Sequence, residues 1–140
     1  QAEARLEPVG GIGVAQRLGR GGAEADGDRS HRGGVEPEQF TKNLIDIVTQ
    51  IREKTGAEVI LFSAFPPNPD WKFGSGRMEL YAAATKDAAQ KLNCAYADVY
   101  STWMKVQARK DVSSLRGNNI NHPNDFGHWL YFTALDAIDF

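Results

Sequence analysis

Cysteine is nearly missing from this 140-residue sequence: Cys94 stands alone. That excludes an intramolecular disulfide and argues against a cysteine-built zinc site. Long apolar runs are missing too, since no stretch reaches the roughly 18 residues that would suggest a membrane span. There is no excess of positive charge. Sixteen basic against 18 acidic side chains leave a net charge of -2, which gives no electrostatic case for nucleic acid or an anionic membrane surface. The chain opens on Gln1 without a basic-then-apolar leader. Residue 1 is therefore not expected to be the natural start, and the compartment is not legible.

A second set of absences is local. Residues 1–34 contain no lysine and no aromatic side chain, yet hold nine of the 14 glycines and five arginines. Leu6, Val9, Ile12, Val14 and Leu18 are their only large aliphatics, at no regular period. Such a segment buries too little apolar surface to offset the entropy of ordering it, so disorder is expected. Residues 10–13 (Gly-Gly-Ile-Gly) lack the preceding strand and following lysine of a phosphate loop. Residues 27–30 (Gly-Asp-Arg-Ser) sit in the same featureless stretch and are not read as a nucleophile motif.

From Val35 onward the composition is that of a globular protein. Pro37 between Glu36 and Glu38 marks a helix start, followed by Phe40, Leu44, Ile47, Val48 and Ile51 at helical spacing and a stop at Thr55-Gly56. Residues 58–64 read as a buried strand. A proline-rich loop runs from Phe65 through Gly76. Met78, Leu80, Tyr81, Ala84, Ala88 and Leu92 predict a second helix ending at Asn93. Residues 94–100 predict a second strand, with Asp98 as a structural residue, and residues 102–109 a short helix or turn. Phe126, Trp129, Leu130, Thr133, Ala134, Ala137 and Ile138 predict the inner face of a last helix. This alternation argues for an α/β fold with a parallel sheet. Two strands are too few to complete such a sheet, so residues 35–140 read as part of a larger domain.

Ligands of open α/β sheets sit beyond the carboxyl ends of the strands. Two stretches should meet there: the loop 66–76 and the run 118–128, Asn-Asn-Ile-Asn-His-Pro-Asn-Asp-Phe-Gly-His. His122 is the leading candidate. Pro123 keeps its backbone out of helical space, and an imidazole suits proton transfer near neutrality. A histidine that merely caps a helix or lies in solvent is the alternative. Asp125 and His128 share the first turn of the last helix. Asp125 there has an ordinary reading as helix stabilisation, worth roughly 0.3–1 kcal/mol, and His128 one as packing. A metal held by His122, Asp125 and His128 is not expected, because one loop rarely aims three ligands. Asn68, Trp71 and Phe73 are candidates for a substrate wall or a packed lid.

The run 121–128 resembles the last block of the SGNH/GDSL ester hydrolases, and residues 35–140 are similar to the C-terminal part of that family. The resemblance implies a three-layer α/β/α, flavodoxin-like parallel sheet, incomplete in this chain. It also implies cleavage of acyl or acetyl esters, often on sugars or lipids, without a cofactor. His122 matches the family's catalytic histidine, and Asn119 occupies the place of the aspartate that orients it. An amide can orient an imidazole but stabilises imidazolium less than a carboxylate does. Asp125 is the other candidate for that role. The family's Gly-Asp-Ser nucleophile block, and the glycine and asparagine blocks of its oxyanion hole, have no counterpart.

These readings leave two expectations. The first is a serine acylhydrolase in which His122 acts as base, this chain alone being inactive for lack of nucleophile and oxyanion donors. The second is a non-catalytic remnant or docking module that pairs its exposed strand edges with another fragment. Carbohydrate binding through Trp71, Trp103 and Trp129 is a weaker third. Residues 1 to about 33 are hypothesised to be a wrong-frame or misjoined translation. Peptides spanning residues 20–45 in the natural host's protein would overturn that.

Overall fold

A computed structural model describes residues 35–71 and 77–138. The chain divides into two units, Gln1–Val35 and Glu36–Phe140, and every element below belongs to the second. The expectations for residues 10–13, 27–30 and Phe73 lie outside the described residues.

Helix α1 (Pro37–Thr55) starts with proline in its first turn, where a missing N–H costs no hydrogen bond, and with Glu38 at its positive end. Gly56 ends it at φ 67°, a left-handed stop that glycine adopts without strain. Strand β1 (Ile60–Phe62) follows, then α2 (Met78–Leu92) and β2 (Ala95–Ala97). The strands are parallel, with Ile60 opposite Ala95 and Phe62 opposite Ala97. Helix α3 (Val99–Gln107) leads through a 3-10 turn (Val112–Leu115) to α4 (Asp125–Asp136). This is the expected α/β class with a parallel sheet, and among the described residues the sheet has two strands.

α1 packs on α2 through Phe40, Thr41, Leu44 and Val48 against a surface kept low by Ala84, Ala88 and Ala89. Arg52 binds the far end of that pair, donating to the Leu92 carbonyl at 2.6 Å, where α2 leaves acceptors open. The other core joins Phe65, Ala97, Val99, Trp103, Leu115, Leu130 and Ala134, so it links both strand ends to α3 and α4.

The strands are shorter than their apolar runs. β2 stops at Ala97 rather than residue 100 because Asp98 caps α3, accepting from the Ser101 N–H at 3.0 Å. The same carboxylate accepts from the Ser63 hydroxyl at 3.4 Å, a structural role as expected for Asp98. Ile51 and Leu80 are exposed rather than buried. The largest correction concerns α4. Trp129, expected in the core, is 52% exposed and stacks on exposed Phe126, whereas Trp103 is wholly buried and unavailable to a ligand. Gly127, Leu130 and Ala134 form the inward face of α4 instead.

Candidate active site

The end of β1 delivers the first half of the site. Phe65, Pro66 and Pro67 are buried directly after the strand, and two successive prolines keep the backbone extended up to Asn68. The second half comes from the loop before α4. Its base is closed by an antiparallel bridge between Arg116 and Pro123, with the Gly117 N–H donating to the His122 carbonyl at 2.9 Å. Asn124 secures the helix side. Its Oδ1 caps α4 through the Gly127 N–H at 2.9 Å, and its Nδ2 donates to the Ser114 carbonyl at 2.8 Å. Gly127 is required at this crossing. A Cβ there would lie 2.6 Å from the Leu115 carbonyl oxygen and 2.9 Å from the Trp103 ring.

The two halves meet at Asn68. Its backbone N–H donates to the Ile120 carbonyl at 2.7 Å, and its buried amide donates to the Asn119 carbonyl at 2.9 Å. Arg116 makes a second tie beneath them. Only 4% exposed, it lies over the Trp103 ring and donates to the Pro66 carbonyl at 2.8 Å, Gln107 Oε1 at 2.7 Å and the Val112 carbonyl at 2.6 Å. Burial lowers its pKa, and it has no ion pair among the described residues.

Inside the loop, Asn118 Oδ1 accepts the N–H groups of Ile120, Asn121 and His122, each at 3.0 Å. Asn118 Nδ2 then faces Asn121 Oδ1 at 3.1 Å and His122 Nδ1 at 2.7 Å. His122 Nδ1 also lies 2.8 Å from Asn121 Oδ1. The ring is exposed to solvent.

The expected site residues are therefore distributed as follows. His122 and Asn68 lie on loops that the structure brings together. Asn119 takes a left-handed φ of 55° and turns its amide towards Asn68, Oδ1 to Nδ2 at 3.5 Å. Asp125 is the exposed first residue of α4. Among the described residues, neither Asn119 nor Asp125 hydrogen-bonds the His122 ring. Trp71 is half-buried, its N–H returning to the Asn68 carbonyl at 2.9 Å. His128 is exposed beside Tyr131. No group of three metal-ligating side chains occurs among the described residues. Sequence reasoning missed Asn118, Asn121 and Arg116. The asparagine density of the loop was the available signal, because asparagine side chains build local turns with the backbone.

Structures resembling this one include an alpha/beta hydrolase enzyme from the metagenome of Lake Arreo, Spain (24% identity, TM-score 0.60). Another is an acetylxylan esterase from Geobacillus stearothermophilus (18% identity, TM-score 0.61). Each comparison covers 74% of this chain and 47% of the other, so the chain spans about half the length of these structures. Variants of the Geobacillus enzyme described as catalytic mutants replace a serine, an aspartate and a histidine by alanine, the aspartate three positions before the histidine. No curated protein matches the sequence. The match to a protein family is broader, running from residue 18, ahead of the composition change, to residue 130. By that match, the chain belongs to the GDSL-like lipase/acylhydrolase family.

Proposed function

We propose that residues 35–140 are the C-terminal part of an ester-cleaving acylhydrolase, with His122 as its general base. The carrying observation is the closed loop that presents His122 beside the end of β1, fixed there by Asn68. In this reading His122 takes the proton of a serine hydroxyl as it attacks an ester carbonyl. It then returns the proton to the leaving alcohol, and water releases the acyl group by the same steps. The 119–122 spacing equals the aspartate–histidine spacing of the Geobacillus esterase, which favours the assignment. Trp71 is proposed to line the acyl or alcohol pocket. Asn68 holds the loop that bears it, and Asp125 supports the start of α4. The substrate is a small ester, an acetyl ester being the first to try.

No serine among the described residues hydrogen-bonds His122. Ser63 is wholly buried, accepting the Tyr100 N–H at 2.9 Å, and Ser113 and Ser114 bond to Asp111. Because its sequence also lacks the family's Gly-Asp-Ser block, the chain alone is expected to leave an activated acetyl ester unhydrolysed. Joining a serine-bearing N-terminal part of a family member ahead of Val35 should produce hydrolysis. His122→Ala in that fusion should remove about 10³-fold or more of it. Equal hydrolysis with and without His122 refutes the base. A folded fusion that never hydrolyses favours the non-catalytic docking module.

A further inference from the structure

We propose that Asn121 is the positioning residue of His122, its Oδ1 receiving the Nδ1 proton of the working base, while Asn118 holds the resting ring in the opposite tautomer. The inference rests on His122 being the base.

The orientation of the Asn118 amide is fixed by its surroundings. Three backbone N–H groups converge on its Oδ1 at 3.0 Å, so the end facing the imidazole is the NH2 donor. One of its protons meets Asn121 Oδ1 and the other His122 Nδ1. Nδ1 thus lies 2.7 Å from a donor and 2.8 Å from an acceptor. A neutral imidazole satisfies one of them at a time.

If Nδ1 accepts from Asn118, the proton sits on Nε2, and that nitrogen has no lone pair to take a serine proton. If Nδ1–H donates to Asn121, the Nε2 lone pair is free. Converting the first state to the second needs loss of a proton from Nε2 to water and gain of one at Nδ1 from water, which the exposed ring permits. When serine then transfers its proton to Nε2, Nδ1–H remains on Asn121 and the imidazolium is oriented by an amide oxygen. Asn119 does not take this part, because its carbonyl and side chain are turned to Asn68.

The two asparagines pull the ring in opposite directions, so their variants must move it in opposite directions. In Asn118→Asp one carboxylate oxygen can keep the three N–H bonds while the other faces Nδ1 as an acceptor. The Nδ1–H form should rise about tenfold relative to the Nε2–H form, as a charge-assisted bond replaces an opposing donor. In Asn121→Ala the acceptor is gone, and the Nδ1–H form should fall below its wild-type level. The readout is the ring nitrogen–proton spectrum of the full chain labelled with 15N-histidine. It is taken at about pH 9, where an ordinary histidine is neutral, with His122 assigned by its loss in His122→Gln. Opposite shifts support the inference. A ratio unchanged in both variants, or moved the same way in both, overturns it. The spectrum needs no turnover. Opposite shifts in a protein whose fusion hydrolyses equally without His122 would count against His122 as the base and leave the control of its tautomer standing.

Discussion

The Asn68 side chain donates to the Asn119 carbonyl at 2.9 Å, so a buried amide on one loop holds a left-handed residue on the other. Asn68 Oδ1 is also used, accepting the Asp70 N–H at 3.0 Å. Removing the amide in Asn68→Ala leaves the Asn119 carbonyl short of a partner and should cost about 1–2 kcal/mol in urea unfolding. Asn68→Asp is nearly isosteric, yet it should cost more at pH 7, because it sets a charged acceptor against that carbonyl. Its deficit relative to Asn68→Ala should shrink as the pH falls and the new carboxyl protonates. A negligible loss in Asn68→Ala would show that the donor at this position is not what joins the loops.

Tyr131 ties alkaline stability to the same region. Its ring packs on the core below Phe65, whose N–H points at the phenol oxygen at 3.5 Å. Burial pushes the phenol up to about 12, the Phe65 contact acting in the opposite direction. The unfolded chain releases this proton near the ordinary value of about 10, so between those values the unfolded state binds fewer protons than the folded one. Stability from this group is complete below about pH 10 and is lost as the pH rises through the folded value, by up to roughly 3 kcal/mol at 1.36 kcal/mol per unit. Urea midpoints at about pH 9 and pH 11 should therefore drop more in the wild type than in Tyr131→Phe. Identical drops would place the alkaline loss on other groups, such as Tyr96 and Tyr100, which burial also raises.

Chain punctuation made much of the fold legible. Pro37 and Gly56 bound α1, and Asn93 ends α2 in a left-handed turn (φ 50°). These signals are local, and local sterics decide them. The convergence of the two loops was legible from topology, since both follow from a parallel sheet. Facing was not. Apolar spacing placed Trp129 inward, yet the inner face of α4 is chosen by Gly127, the one residue that admits Leu115 and Trp103 so closely. Two positions later, about 200° around the helix, Trp129 points outward. The partner of His122 was equally hidden. A spacing of three from Asn119 gives no hint that Asn118, seized by three N–H groups, would turn its own amide to the ring.

Arg116 is the residue that sequence patterning hides best, because it reads as one more solvated charge. Its guanidinium instead reaches three oxygens, while its buried Nε has no hydrogen-bond partner among the described residues. Two opposing terms fix its net effect: desolvating a cation that has no carboxylate partner among the described residues, and satisfying carbonyls that would otherwise be buried unpaired. Arg116→Met removes both terms, keeps a long stem over Trp103, and should cost about 2 kcal/mol. Arg116→Lys retains the charge but loses the planar fork and stacking, and an ammonium is more strongly hydrated. The lysine variant should thus be the less stable of the two at pH 7. It should recover part of the difference as the pH rises and the buried amine becomes neutral. Urea unfolding of both variants tests the order. A lysine variant milder than the methionine one would mean that the positive charge itself stabilises the junction of Pro66 with the loop carrying His122.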